Sequence, residues 1–192
     1  MTMNKLAPDY AAIPIPQLSY FCMYVSKKST MKNVVLCLLS VWFLFSGCLK
    51  KETGCPSPKN IVASSAEQQV IVDYLAANNI SATKHSSGMY YQIVQQGSGG
   101  SPNNCSSIAI NYTGKLSNGN KFDEGKNVAF TLSSLIEGWK HGLPLIQKGG
   151  KIMLYIPPTL GYGSSDIRDS NGNVVIPANS MLIFIIELLD FQ

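Results

Sequence analysis

The chain has 192 residues, 45% of them hydrophobic and 14% charged, with a formal net charge of +4. That length holds one domain with a full core plus a short extension. From Cys48 onward 11 basic and 10 acidic residues nearly cancel, so a nucleic-acid surface is not expected. The two histidines, His85 and His141, belong to no Cys/His cluster of metal-ligand spacing. No phosphate-cradling glycine loop or Ser/His/Asp set is visible either, and no metal or cofactor is expected.

Residues 1–30 fit no targeting pattern and read as a non-native N-terminal extension, with Met31 as the natural start. Residues 31–47 read as a signal peptide. Met31-Lys32-Asn33 is a short basic start, and Val34 to Phe45 is an apolar run of about 12 residues, too short for a comfortable membrane span. Ser46-Gly47-Cys48 follows and resembles the bacterial lipobox, with Phe45 where Leu is usual. The resemblance implies that Cys48 becomes a lipidated first residue, which places the protein in the bacterial cell envelope with a membrane anchor. A plain anchor, or a secretory signal with an incidental cysteine, remains the alternative.

Cys22 and Cys37 lie before the cleavage point, which leaves Cys55 and Cys105 as an even pair in an oxidising compartment. They are a disulfide candidate, with two free thiols as the other possibility. Residues 48–62 carry charges, Gly54, Pro56 and Pro58 and read as a tether. Residues 63–87 form an N-terminal helical extension. Ser64 and Glu67 make a capping box, and Val70, Ile71, Tyr74 and Leu75 recur at helical spacing, so a helix is predicted over 65–78, ended by Asn78-Asn79. It either packs on its own domain or serves dimerisation; the first is favoured, with the protein a monomer.

Residues 88–192 form the main domain. A strand is predicted over 88–95, then a flexible loop over 97–102. Ile108, Ile110 and Tyr112 alternate in a strand over 107–116, and Asn118-Gly119 is a tight turn into Lys121-Phe122. Further strands are predicted at 128–132, 151–156 and 181–189, with a helix over 135–146. The fold class is α+β: an antiparallel sheet of about five strands wrapped on one short helix.

Aromatics, glycines and prolines recur through this region in a fixed order: Tyr112-Thr113-Gly114, Phe122-Asp123, Phe130, Leu135-Ile136-Glu137-Gly138-Trp139, Ile156-Pro157-Pro158, Tyr162-Gly163, Ile176-Pro177 and Leu182-Ile183-Phe184. They can converge only if the chain folds back into a concave apolar site suited to binding and desolvation. In order and spacing over roughly 80 residues the set resembles the FKBP-type peptidyl-prolyl cis-trans isomerase domain. The resemblance implies an FKBP-like fold and acceleration of X–Pro rotation in proline-containing polypeptides, without a cofactor. It also implies competition by macrolide immunosuppressants.

By the same resemblance Trp139 is the floor for the proline ring. The phenol of Tyr162 meets the rotating carbonyl, and Asp123 orients a neighbouring Tyr. Tyr112, Phe122, Phe130 and Phe184 are aromatic walls, stiff enough to hold a pocket open. Leu135, Ile136 and Ile176 complete the site, with the Ile136 N–H donating to a bound peptide carbonyl. The segment from Tyr162 to Val175 is longer than in minimal members, and Ala178 stands where a second Pro is common. Its Asp and Asn residues lack the alternation of a calcium loop and read as a solvated turn. Two non-enzymatic readings stand beside this one. The pocket could serve a chaperone-like module that binds proline-containing segments, or the sheet edge could serve a structural envelope lipoprotein.

Overall fold

The computed structural model describes residues 55–192. The expected N-terminal extension and the expected signal peptide, like Cys48, lie outside the described residues. Among the described residues, eight strands and two α-helices follow in chain order: α1 (Ser65–Ala77), β1 (Thr83–Lys84), β2 (Tyr90–Gln95), β3 (Ser107–Leu116), β4 (Lys121–Thr131), α2 (Glu137–Gly142), β5 (Lys151–Ile156), β6 (Ile167–Arg168), β7 (Val174–Ile176) and β8 (Leu182–Phe191). Six of the strands make one antiparallel sheet in the order β1-β2-β5-β8-β3-β4, and β6 and β7 form a separate hairpin. The main sheet therefore has six strands where about five were expected. The added one, β1, is a two-residue edge.

Each face of the sheet has its own core. The inner face presents Ile110, Ile152, Leu154, Ile156, Phe184 and Ile186, all buried, toward Trp139 and Leu143. The outer face presents Tyr155 and Ile183, which α1 covers with Ile71 and Leu75. Both side chains are at most 6% exposed, and burying each is worth about 1.5–3 kcal/mol. Val70, grouped with them by spacing, is 56% exposed and lies off the stripe.

The ends of α1 follow the residues there. The Ser64 hydroxyl accepts from the Glu67 N–H, and the Glu67 carboxylate accepts from the Ser64 N–H, which closes the capping box. At the other end Asn79 adopts φ 55°, and the Ile80 N–H donates to the Leu75 carbonyl. This is a left-handed helix stop that Asn tolerates.

Three elements differ from expectation for identifiable reasons. The short strand expected over 128–132 is the second half of a longer bent strand, β4, which already begins at Lys121. Its register shifts between Ile110 opposite Val128 and Tyr112 opposite Gly125, so Lys126 and Asn127 form a bulge. Asn127 stands at φ 49°, and its N–H donates to Asn111 Oδ1 at 2.8 Å. The helix expected over 135–146 is shorter. Ile136 is extended, and after Gly142 the chain tightens into a 3-10 turn over Leu143–Leu145, because Pro144 has no N–H to continue the α-helix. The solvated turn expected after Tyr162 is the β6–β7 hairpin, closed by Asp169 accepting from the Asn171 and Asn173 N–H groups.

Residues 55–63 lie along the domain. Asn104 Nδ2 donates to the Pro56 carbonyl at 2.9 Å, the Lys59 N–H donates to Glu137 Oε2 at 3.1 Å, and Ile61 packs on the inner core. Cys55 and Cys105 are joined through sulfur with their Cα atoms 5.5 Å apart, across 50 residues of sequence.

Candidate active site

The site is built on the inner face where α2 crosses β5. Gly138 and Gly142 allow this crossing. A Cβ on Gly138 would sit 2.6 Å from Ile156 Cδ1, and one on Gly142 would sit 2.7 Å from Leu154 Cδ1. The close approach buries Trp139 against the sheet, 4% exposed. Phe184 and Tyr112 meet its ring edge-on, with centroids at 5.0 and 5.3 Å, a favoured aromatic geometry. Phe122 stands perpendicular to Phe184 at 5.5 Å, and Phe130 meets Tyr112 at 6.2 Å.

Two further glycines make room for these rings. A Cβ on Gly114 would be 2.7 Å from the Phe122 ring and 2.8 Å from the Phe184 ring, and one on Gly125 would be 2.6 Å from Tyr112 Cε1. The words Tyr-Thr-Gly and Phe-Asp-Glu-Gly contain both, yet nothing in the linear order says which ring each must admit.

The burial pattern is that of a pocket with one open side. Trp139, Ile176 and Phe184 are buried, whereas Tyr112, Phe122, Phe130, Leu135 and Ile136 are half-buried and Tyr162 is 41% exposed. All of the predicted wall residues pack on the inner core cluster. The loop before α2 brings Leu135 and Ile136 to the rim. The Ile136 carbonyl accepts from the Trp139 N–H, while its own N–H meets no acceptor among the described residues.

The polar groups gather at the mouth. Tyr112 Oη donates to Asp123 Oδ2 at 2.7 Å. Burial, this hydrogen bond and the Asp123 charge push the Tyr112 phenol far above its ordinary range. Burial and the field of Asp123 also raise Tyr162. Both phenols are neutral hydrogen-bond donors at physiological pH. Asp123 itself is exposed on β4, its other oxygen accepting from the Glu124 N–H. Its bond to Tyr112 is thus made from an exposed position on the strand.

Among the described residues no three His, Cys, Asp or Glu side chains gather closely enough to hold a metal ion. A shallow polar groove lined by Asn111, Thr113, Glu124 and Glu187 lies apart from the aromatic site and borders it only at Tyr112.

The family profile of the FKBP-type peptidyl-prolyl cis-trans isomerases matches residues 99–189. The crystal structure of AtFKBP13 superposes with a TM-score of 0.53 and 31% identity, covering 58% of this chain and 99% of that one. The chain belongs to the FKBP-type peptidyl-prolyl cis-trans isomerase family. Another FKBP-type protein, FkpA of Escherichia coli strain K12, is 42% identical over 111 residues, which is 56% of this chain and 39% of that protein. The crystal structure of Escherichia coli FkpA matches with a TM-score of 0.53 and 29% identity, covering 86% of this chain and 74% of that one. In the sequence matches the chain spans well under half the length of its curated FKBP-type relatives.

Proposed function

We propose that this FKBP-type protein accelerates cis-trans rotation of X–Pro bonds in proline-containing polypeptides, as a folding helper held at the bacterial envelope. One observation carries the reading: a nearly buried Trp139 is met edge-on by Tyr112 and Phe184, with the partly exposed Tyr162 in the field of the Asp123 that holds Tyr112.

The chemistry follows from the amide. Resonance sets a rotation barrier of about 18–20 kcal/mol, and uncatalysed X–Pro exchange takes tens to hundreds of seconds. In the twisted transition state that resonance is lost and the bond is less polar. A dry aromatic pocket favours the twisted form over the planar one, and each tenfold in rate needs only about 1.4 kcal/mol of that preference. Trp139 packs on the proline ring, the Ile136 N–H holds a peptide carbonyl, and Tyr162 Oη donates to the carbonyl that turns. Asp123 acts through Tyr112. No proton is transferred, so the rate is expected to be flat across neutral pH. Macrolide ligands are proposed competitors for the same pocket.

Proline-limited refolding of a reporter protein tests this reading. The wild-type chain should speed the slow phase. Tyr162→Phe, which removes one hydrogen bond worth about 0.5–1.5 kcal/mol, should slow it roughly two- to ten-fold. A folded wild type without acceleration would leave a proline-binding module as the better account, decided by titration with a proline peptide.

The envelope location rests on the basic start, short apolar run and Ser46-Gly47-Cys48. Cys48→Ser is expected to release the protein from the membrane fraction or to stall its processing. Unchanged fractionation and migration would contradict lipidation.

A further inference from the structure

Strand β4 is an edge of the main sheet, and β3 is its strand partner there. Its two halves keep different registers against β3. Ile108 is paired with Phe130 and Ile110 with Val128, whereas Tyr112 is paired with Gly125 and Gly114 with Asp123. The register changes at the bulge, where Lys126 and Asn127 together stand opposite the single residue Asn111. Side chains alternate along a strand, so a slip of one residue moves each of them to the other face. Carried on without the bulge, the register of the Phe130 half would set Lys126 opposite Tyr112 and Glu124 opposite Gly114, and would turn Asp123 away from the Tyr112 face. The bulge instead sets Gly125 beside the Tyr112 ring, where a Cβ would be 2.6 Å from Cε1. It also sets Asp123 where its carboxylate accepts from the Tyr112 hydroxyl at 2.7 Å.

The Asn111 amide grips this bulge from the outer face of the sheet. Its Oδ1 accepts from the Asn127 N–H at 2.8 Å, and its Nδ2 donates to Glu187 Oε2 at 2.9 Å. Glu187 is the residue opposite Asn111 on β8, so the amide reaches from the interior of the sheet to its edge. Making both bonds takes a side chain that accepts at one atom and donates at the other. Asn127 is thereby kept at φ 49°, a left-handed conformation that side chains disfavour. The pairs Tyr112–Gly125 and Gly114–Asp123 lie between the Asn118-Gly119 turn and the bulge. The turn holds one end of that segment and Asn111 the other, with no further strand beyond β4 among the described residues.

We infer that Asn111 is a positioning residue for X–Pro rotation: by holding the bulge it fixes the register that gives Tyr112 its Asp123. This rests on the proposed isomerase activity and deepens it. Asn111 and Tyr112 are neighbours on β3 whose side chains leave opposite faces, so Asn111 acts on the pocket through the paired strand and touches no substrate. Small misplacements of a group that acts in the transition state cost rate more than affinity.

The test compares the full-length chain with Asn111→Ala, Asp123→Ala, the Asn111→Ala/Asp123→Ala pair and the Asn111→Asp/Glu187→Gln pair. Each is followed in an X–Pro peptide assay, in thermal melts and by NMR of the Tyr112 hydroxyl proton. Asn111→Ala should lower kcat roughly two- to five-fold with KM near wild type. The Tyr112 hydroxyl proton, held by Asp123, should exchange faster with water. In the Asp123→Ala background Asn111→Ala should still lower the melting temperature but change kcat little further, because the contact it positions is gone. The Asn111→Asp/Glu187→Gln pair keeps an acceptor for the Asn127 N–H and exchanges donor and acceptor across the other bond, so it should recover most of the rate and the slow hydroxyl proton. An active wild type whose Asn111→Ala variant keeps both kcat and the slow proton overturns this inference alone. So do full additivity with Asp123→Ala in kcat and failure of the exchanged pair to recover the rate. A wild type that accelerates no X–Pro exchange overturns the isomerase reading and the role of Asn111 together.

Discussion

Trp139→Ala is expected to lower the unfolding free energy by about 3–5 kcal/mol, the usual cost of emptying a buried Trp site. Activity should also fall in whatever fraction remains folded. The ring is 4% exposed and takes the edges of Tyr112 and Phe184 at 5.3 and 5.0 Å, so its loss leaves both walls without support. Trp139→Phe should cost less. It keeps an aromatic face, and it removes an indole N–H that is buried without a partner in the free protein, a desolvated donor worth about 1–3 kcal/mol. Urea unfolding followed by circular dichroism gives both numbers. A loss under about 1 kcal/mol for Trp139→Ala would show that the ring is not the floor on which the walls rest.

Cys105→Ser is expected to be the other large perturbation. Crosslinking over 50 residues restricts the unfolded chain, and the chain-entropy model puts the stabilisation at about 4 kcal/mol. The segment it anchors is also held by Asn104 on Pro56, by Glu137 on Lys59 and by the Ala63 N–H on the Ser87 carbonyl. The variant should therefore fold, but melt lower. Cys55→Ser should reproduce the shift, and the double variant should add nothing, since either change removes the same bond. Non-reducing peptide mapping of the purified protein checks the bond itself. Two freely alkylatable thiols, or a melting temperature indifferent to reductant, would contradict it.

Much of the site was legible in linear order because the features that mark it are local. Asn118-Gly119 turns a hairpin wherever it stands between β-prone runs, and Ser64 with Glu67 starts a helix through contacts three residues apart. The aromatics were legible as a set, since a resemblance in order and spacing survives loop differences. The bulge was not. Asn127 occupies it because Asn111, 16 positions earlier, offers an oxygen, and neither residue signals the other. The second role of Glu67 was equally hidden. Besides capping α1, its Oε1 accepts from the Thr159 N–H and hydroxyl at 2.9 and 2.6 Å. That fastens the added helix to the turn just before Tyr162. The tether reading of 48–62 could not anticipate that residues 55–62 run along the domain, because Pro and Ser carry no trace of a partner 48 residues away.

The amino-acid sequence by itself determined the elements and the ingredients of the site. Alternation set the strands, the capping box and the Asn-Asn stop set α1, Pro144 cut α2 short, and Trp139, Tyr112, Phe184 and Tyr162 supplied the aromatic groups of the candidate site. Only the tertiary structure decided how those ingredients meet. It placed Gly138 on Ile156 and Gly114 between Phe122 and Phe184, gave the Asp123 carboxylate to Tyr112 rather than to Tyr162, and set Asp166 against Ala178. The physical reason is range. Turns, caps and alternation are decided by atoms a few residues apart, whereas close packing and hydrogen-bond choice are decided by surfaces that come together only when the sheet has closed.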